Sequence, residues 1–171
     1  QAPVVAKPST PSSPPSMQFS LGMGPVFVLE ATPGVAVGPQ INGGFRRGIF
    51  SLNVDAHIAW DYMTMEKTPT QQFVTWATAL RACAHKQFVF GCGLLQASGV
   101  TSLSASERWQ NRLGGGLRAG LELHVSAPVY LQFWGEGVAV SKGYAVVRDN
   151  TNLSHGLPVV GAFGATVLLT R

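Results

Sequence analysis

Apolar and polar residues alternate along most of the chain from residue 17 onward. The clearest alternation runs from Ile49 to Tyr62. One face of this segment carries Phe50, Leu52, Val54, Ala56, Ile58, Trp60 and Tyr62, and the other carries Ser51, Asn53, Asp55, His57, Ala59 and Asp61. A period of two over this length predicts a β-strand longer than the roughly six residues of a typical strand. It is long enough to cross a bilayer, since a tilted strand needs about 9–11 residues.

Seven further segments repeat the alternation, so the chain is predicted to form eight strands. Four of them are clear, namely Val35–Phe45, Phe73–Ala84, Leu113–Val125 and Val129–Val140. Three are weaker, namely Met17–Leu29, Phe88–Gly99 and Leu157–Thr170. Within the third clear segment, Gly114, Gly115 and Gly116 are expected to allow curvature or to make room beneath a bulky inward side chain such as Trp134.

The predicted connections between strands differ in length. Short turns are expected at Arg46–Arg47, Ala84–Lys86 and Ser126–Pro128, and long polar loops at Met63–Gln72, Ser98–Asn111 and Ser141–His155. Short turns at one end and long loops at the other are typical of bacterial outer-membrane barrels. The short first loop, Ala31–Pro33, departs from that rule. The pattern predicts an all-β fold, an eight-stranded antiparallel up-and-down transmembrane β-barrel over residues 17–171.

Composition decides which face of the barrel is expected to point outward. Charged residues make up 12% of the chain, against about 25% in an average soluble protein. A soluble barrel would carry many Lys and Glu on its outer face, whereas these strands carry only a few charges of both signs. We therefore predict that these charges lie inside the barrel as a mixed-sign network, because unpaired charges there would be costly. The predicted network comprises Asp55, Arg81, Arg118, Glu122 and Glu136.

The aromatic residues fall near the two ends of the predicted strands. Trp60, Tyr62, Trp76 and Trp109 lie at the long-loop ends, and Phe45, Phe50 and Phe88 lie at the short-turn ends. Two aromatic girdles separated by an aliphatic band are typical of the two membrane interfaces. Although 46% of the residues are hydrophobic, no unbroken apolar stretch approaches the roughly 18 residues of a spanning helix.

In strand number, strand length and loop asymmetry, residues 17–170 resemble the OmpA/OmpX-type outer-membrane barrels. The resemblance is architectural and rests on no diagnostic motif. It implies a location in the bacterial outer membrane, with outer-membrane lipid around the barrel. The chain departs from that family at its C-terminus, where Thr170–Arg171 stand in place of the usual final aromatic residue.

Two cysteines, Cys83 and Cys92, occupy consecutive predicted strands. In an oxidising envelope they are expected to form a disulfide. The predicted alternation places Cys83 inward and Cys92 outward, so a bridge would need a bulge or a shifted turn to bring the Cα atoms within about 7 Å. The histidines His57 and His124 are expected to face the lumen as ordinary lumen residues. No metal site and no cofactor are predicted.

The interior of an eight-stranded barrel is only wide enough for side chains to fill it. A diffusion pore is therefore not expected, and the first hypothesis is a non-enzymatic membrane anchor whose loops or tail hold an envelope protein partner. The competing hypothesis is a barrel that binds a small molecule or lipid, as a carrier or a narrow channel. No basic stripe interleaved with aromatics is present, so no nucleic-acid partner is predicted.

Residues 1–16, QAPVVAKPSTPSSPPS, precede the predicted barrel and are rich in Pro and Ser. This composition favours an extended segment without a core of its own, so it is interpreted either as a floppy spacer or as a tether to a partner. An even number of strands places both termini at the short-turn end, which is expected to be periplasmic.

Overall fold

The computed structural model describes residues 16–29, 35–61, 73–102, 110–141, 145–148, 151–155 and 159–171. Eight strands close into one antiparallel barrel, and two further strands form a separate small hairpin. The predicted all-β, eight-stranded antiparallel barrel is therefore confirmed. Of the predicted N-terminal tail, only Ser16 lies within the described residues.

The barrel strands are β1 (Met17–Leu29), β2 (Ala36–Arg47), β3 (Phe50–Asp61), β4 (Phe73–Lys86), β5 (Val89–Ser102), β6 (Gln110–Ser126), β7 (Val129–Val140) and β10 (Val159–Thr170). Each pairs with its sequence neighbours in the barrel. The remaining strands, β8 (Ala145–Arg148) and β9 (Thr151–His155), pair with each other between β7 and β10. The segment Ser141–His155, predicted as a long polar loop, lies between barrel strands β7 and β10 and contains this hairpin. The hairpin was not predicted, because strands of four and five residues are too short to show in the alternation.

The barrel closes where β1 pairs with β10, with Ser20 opposite Thr170 and Leu29 opposite Gly161. Beyond this register, Phe19 and Arg171 exchange two backbone hydrogen bonds of 2.9 Å. Each of the eight barrel strands is therefore paired on both sides, and the barrel leaves no strand edge open. The start of β1 and the end of β10 lie at the same end of the barrel as the three short turns.

Those turns lie at Gly48–Ile49, Gln87–Phe88 and Ala127–Pro128. The first two lie further along the chain than predicted, because the strands continue to the residues that can adopt a left-handed backbone. Gly48 has φ 62° and Gln87 has φ 56°, and two-residue hairpin turns favour positive φ. The predicted loop Ala31–Pro33 lies outside the described residues.

Side-chain polarity is inverted relative to a soluble protein, in which charged residues are almost never buried unless paired. Buried polar and charged side chains point into the lumen and include Gln40, Asn42, Asp55, Arg81, Gln96, Arg118, Gln132 and Thr166. Large apolar side chains cover the outside and include Phe19, Leu21, Ile41, Phe50, Val54, Leu95, Leu113 and Leu117. Among the described residues there is no helix long and apolar enough to cross a membrane.

Candidate functional site

Arg118 of β6 is the centre of a charged layer at mid-lumen, and it is only 2% exposed. Its Nη2 donates to Asp55 Oδ2 of β3 at 2.9 Å, and its Nε donates to Glu136 Oε2 of β7 at 2.7 Å. Arg81 of β4 forms a second ion pair with Asp55. We call Asp55, Arg81, Arg118 and Glu136 the central layer. Two arginines face two carboxylates, so the central layer is neutral in sum, as buried charges require.

Glu122, the fifth residue of the predicted network, does not join the central layer but lies nearer the short turns. Its carboxylate accepts a hydrogen bond from Arg46 Nη1 at 2.8 Å and another from Gln132 Nε2 at 2.7 Å. His85 Nδ1 lies 3.8 Å from the same carboxylate. We call Arg46, His85, Glu122 and Gln132 the rim layer. The Arg46 side chain is 30% exposed, so this layer is wetter than the central one.

The sequence interpretation missed Arg46 and His85 as lumen residues. Arg46 was assigned to a turn, and His85 to another, because both turns were predicted too early in the chain. Both could have been placed in the lumen from the alternation of inward-facing and outward-facing residues along β2 and β4. Arg46 continues the even positions of Gln40 and Asn42, and His85 continues the odd positions of Arg81 and Cys83.

Trp134 of β7 fills the lumen beside the central layer. The guanidinium carbon of Arg118 lies 3.8 Å from the centre of the Trp134 ring, and such cation–π contacts strengthen when shielded from water. Trp134 Nε1 donates to Thr166 Oγ1 at 3.3 Å. Thr166 also accepts a hydrogen bond from Gln40 Nε2. An aromatic ring, a guanidinium and an amide therefore block the lumen at this level.

Room for Trp134 comes from Gly164, which lies directly opposite it on β10. A Cβ added at Gly164 would approach the indole ring to 2.6 Å. Register places Gly114–Gly116 opposite Val138 to Val140 and not beneath Trp134, so that part of the prediction is wrong. Close packing is nevertheless present there, because a Cβ added at Gly114 or Gly116 would collide with the backbone of β7. In an antiparallel sheet, the register between neighbouring strands determines which residue lies opposite a given side chain.

The two cysteines form a disulfide between β4 and β5, as predicted. They are directly opposite in register, with Cα atoms 4.0 Å apart, and each is 5% exposed. The expectation that Cys92 faces outward is wrong. The two-residue turn at Gln87–Phe88 reverses the parity of inward positions, so odd residues point inward on β4 and even residues on β5.

His124, expected to face the lumen, continues the even positions of Arg118 and Glu122 and is exposed at the short-turn end of β6. The register of β6 against β7 shifts only beyond it, between His124 and Ser126. The His124 ring contacts Tyr130, with centroids 4.8 Å apart. His57, by contrast, is half-buried, on the odd positions of β3 that point inward.

The aromatic residues predicted to form two girdles can be located only in part. Phe45, Phe50 and Phe88 are exposed beside the short turns. Toward the other end, Trp60 and Trp76 are half-buried on the outer face, where Trp76 packs across Gly99. Tyr62 and Trp109 lie outside the described residues.

Free space within the lumen is small. A cavity of about 40 Å³ lies at the short-turn end, between the rim layer and the disulfide. Small-molecule sites usually have about 300–1,000 Å³, so this cavity has room for water-sized molecules but not for a lipid or cofactor. Among the described residues, no group of three or more His, Cys, Asp or Glu side chains is placed to hold a metal ion.

No protein-family model matches the chain, and no curated protein matches it in sequence. Solved structures do resemble it. Neisserial surface protein A (NspA) is 17% identical, with a TM-score of 0.64 over 90% of this chain and 96% of that one. Ail, the attachment invasion locus protein of Yersinia pestis, is 13% identical, with a TM-score of 0.53 over 93% of this chain and 100% of that one.

The N-terminal β-barrel domain of Pseudomonas aeruginosa OprF is similar to a comparable degree. It is 10% identical, with a TM-score of 0.51 over 93% of this chain and 100% of that domain. At these identities the likeness concerns the fold and not the function. The chain therefore has the fold of the eight-stranded outer-membrane β-barrels.

Proposed function

We propose that the protein spans the bacterial outer membrane as a closed β-barrel and serves there as a structural anchor or subunit of a cell-envelope assembly. The observation that carries this proposal is the inverted polarity of the barrel. Leu95, Leu113 and Leu117 are each more than two-thirds exposed on the outer face, whereas Arg118, next to Leu117 in sequence, is buried. Water would penalise so much contiguous apolar surface, whereas lipid would accommodate it.

The filled lumen supports an anchor over the competing hypothesis of a carrier or channel. The central layer and Trp134 occupy the space through which a solute would pass. The 40 Å³ cavity near the short turns is too small for a lipid or metabolite. Binding or passage of a solute inside the lumen would therefore require the central ion pairs to separate.

We assign no catalytic role to the charges of the central layer or to Glu122, because each of them contacts a group of opposite charge. Asp55 contacts Arg81 and Arg118, and Glu136 contacts Arg118. Glu122 in the rim layer is similarly paired with Arg46. Such an arrangement is suited to filling a barrel interior.

The short-turn side, with both ends of the barrel sequence, is assigned to the periplasm. Support comes from the loop asymmetry of outer-membrane barrels, whose short turns are periplasmic. The surrounding partner is then outer-membrane lipid. An envelope protein would be held through residues 1–16, which precede Met17 at this rim, or through the long loops.

Placing arginine at two depths of the outer face tests whether that face contacts lipid. Leu117 lies midway along β6 and is 73% exposed, whereas Val125 lies at the short-turn end of β6 and is 64% exposed. Arginine on the lipid face costs about 2–4 kcal/mol at the bilayer centre and about 0–1 kcal/mol near the interface. We expect Leu117→Arg to lower the free energy of unfolding by the larger amount and Val125→Arg by the smaller.

The measurement is urea unfolding of barrels folded into phosphatidylcholine vesicles. In water, both substitutions would replace an exposed apolar side chain and would change stability by less than about 0.5 kcal/mol. Equal, small effects of the two variants would contradict a membrane-spanning barrel. So would a wild-type protein that stays folded and monomeric without detergent or lipid.

A further inference from the structure

An apolar groove lies on the outer face of the barrel where β3, β4 and β5 meet the short turns. Its volume is about 500 Å³. Phe50 and Leu52 form one wall, and the small residues Ala82, Ala84 and Gly91 form the floor. A Cβ added at Gly91 would meet no atom within 4 Å, so the floor is open to whatever surrounds the barrel.

The groove climbs from the rim of the barrel toward its middle. Hydrogen-bonded register joins Phe50 to Ala84, Ala84 to Gly91, Gly91 to Ala119 and Ala119 to Gly135. Phe50 is the first residue of β3 at the short-turn end, and Gly135 lies halfway along β7. A second open groove, lined by residues that include Gly93, Ala119 and Gly135, shares Gly91 with the first. Together the two grooves run along the outer face from the short-turn end of the barrel to the middle of β7.

Two cations lie at the short-turn end of this groove, Arg47 in its lining and Lys86 two residues beyond Ala84 on β4. Arg47 ends β2 on the same face as Phe45, and Lys86 ends β4 on the same face as Ala84, and both are exposed. Among the described residues, neither forms an ion pair. The acidic residues of the described strands point into the lumen instead, namely Asp55, Asp61, Glu122 and Glu136. Within the part of the chain that the structure describes, the entrance is therefore positively charged and has no acidic neighbour on the outer face.

We propose that this groove binds one anionic phospholipid from the surrounding bilayer. Its phosphate would lie between Arg47 and Lys86, and one acyl chain would follow Ala84, Gly91 and Ala119 toward the middle of the barrel. Basic residues at the membrane surface attract anionic lipids, and small side chains leave space for a close apolar contact. The inference rests on the proposed function, because it requires the outer face to be embedded in lipid.

Charge favours a lipid over a second copy of the chain as the occupant. In a symmetric dimer, the same surface patch of both subunits meets. Both copies would then bring Arg47 and Lys86 to the same side of the membrane, where like charges would repel. An anionic headgroup instead neutralises both residues.

The first test removes the charges at the entrance. Purified barrels in nanodiscs of mixed phosphatidylcholine and phosphatidylglycerol are released into native mass spectrometry, and bound lipids are counted. We expect the wild type to retain one phosphatidylglycerol. The double variant Arg47→Gln/Lys86→Gln should bind it about 25-fold more weakly, since each cation contributes roughly fivefold. Arg171→Gln is the matched control, because Arg171 is an exposed cation at the same rim beside β1, beyond the Phe45 side of the groove.

The second test fills the groove. Gly91→Leu places a side chain in the open floor, and Gly115→Leu is the matched control on the outer face of β6, where the nearest atom to an added Cβ lies at an ordinary 3.7 Å. We expect Gly91→Leu to abolish the retained lipid and Gly115→Leu to leave it bound. Equal loss in both variants would overturn the site.

Other outcomes also overturn the inference. These are equal retention of the two lipids by the wild type, unchanged retention after Gly91→Leu, and a dimer that Gly91→Leu dissociates. Insertion into phosphatidylcholine vesicles is measured in parallel. A barrel that inserts but shows no preference for phosphatidylglycerol overturns the lipid site alone, whereas a barrel that does not insert overturns the proposed function and the lipid site with it.

Discussion

At the scale of single residues, Arg118 holds the central layer together. It bonds to strands β3 and β7 through Asp55 and Glu136, and it stacks on Trp134. A buried ion pair contributes little net stability compared with apolar packing, but breaking one by removing a single partner is costly. Because the neighbours of Arg118 are carboxylates, its removal would leave buried negative charge without a full set of partners. The stability of the barrel interior therefore depends on this arginine.

Replacing Arg118 with methionine should leave Asp55 with only Arg81 and leave Glu136 without its arginine. We expect Arg118→Met to lower the free energy of unfolding by about 3–5 kcal/mol. Arg46→Gln is the control, since Arg46 is partly exposed and its pair with Glu122 should be worth about 1 kcal/mol or less. The measurement is urea unfolding in vesicles. A loss for Arg118→Met no greater than for Arg46→Gln would show that the central layer is not a buried charge cluster.

Alternation alone put Asp55, Arg81 and Arg118 on the polar faces of their strands, and the structure brings these side chains into contact. Alternation could not place Cys92. The side of Cys92 depends on whether the turn before it contains two residues or three, because a single-residue shift of register moves a side chain to the opposite face.

At the scale of elements, the long barrel strands were predictable because each repeats its alternation many times. The positions of the turns were less predictable than the strands. The alternation of β2 and β4 continues up to Gly48 and Gln87, and it does not encode the positive φ of these two residues. The β8–β9 hairpin gave no signal because its strands are short. For residues 1–16, the Pro- and Ser-rich composition predicts an extended segment but does not predict what that segment contacts.

Deleting residues 1–16 tests the proposed tether. The barrel should still insert into membranes, because the closing strand β1 begins at Met17. An envelope protein that co-purifies with the full chain from native membranes should be lost. Replacing residues 1–16 by a Gly/Ser segment of equal length is the control, since it keeps the spacing but removes the proline-rich sequence. Identical co-purifying proteins from all three chains would leave residues 1–16 as a spacer only.

At the scale of the whole molecule, eight strands enclose an interior that is filled with side chains. The central layer closes the middle, and Trp134 with Gln40 and Thr166 closes the space beside it. Strand number sets this outcome, because a barrel of eight strands is too narrow for a water-filled channel once side chains are present. The sequence predicted the number of strands, and therefore the closed interior, without any knowledge of the contacts.

Purified protein in planar bilayers should therefore show no sustained, large conductance. A sixteen-stranded porin, whose lumen is a water-filled channel, serves as the positive control under the same conditions. Brief, small openings would be compatible with transient separation of the ion pairs around Arg118. Steady currents of porin size would contradict the closed lumen and, with it, the proposal of an anchor.

The place of the disulfide around the barrel has a consequence for the order of assembly. Cys83 and Cys92 join β4 and β5, which lie diametrically opposite the pairing of β1 with β10 in the ring of strands. The hairpin of β4 and β5 brings together residues close in sequence, whereas Ser20 must find Thr170. Because the entropy lost on closing a loop grows with its length, we expect the cross-linked hairpin to form early and the β1–β10 seam to form last. Until then the chain would be an open, curved sheet whose two free edges face each other across the side of the lumen farthest from the sulfur bridge.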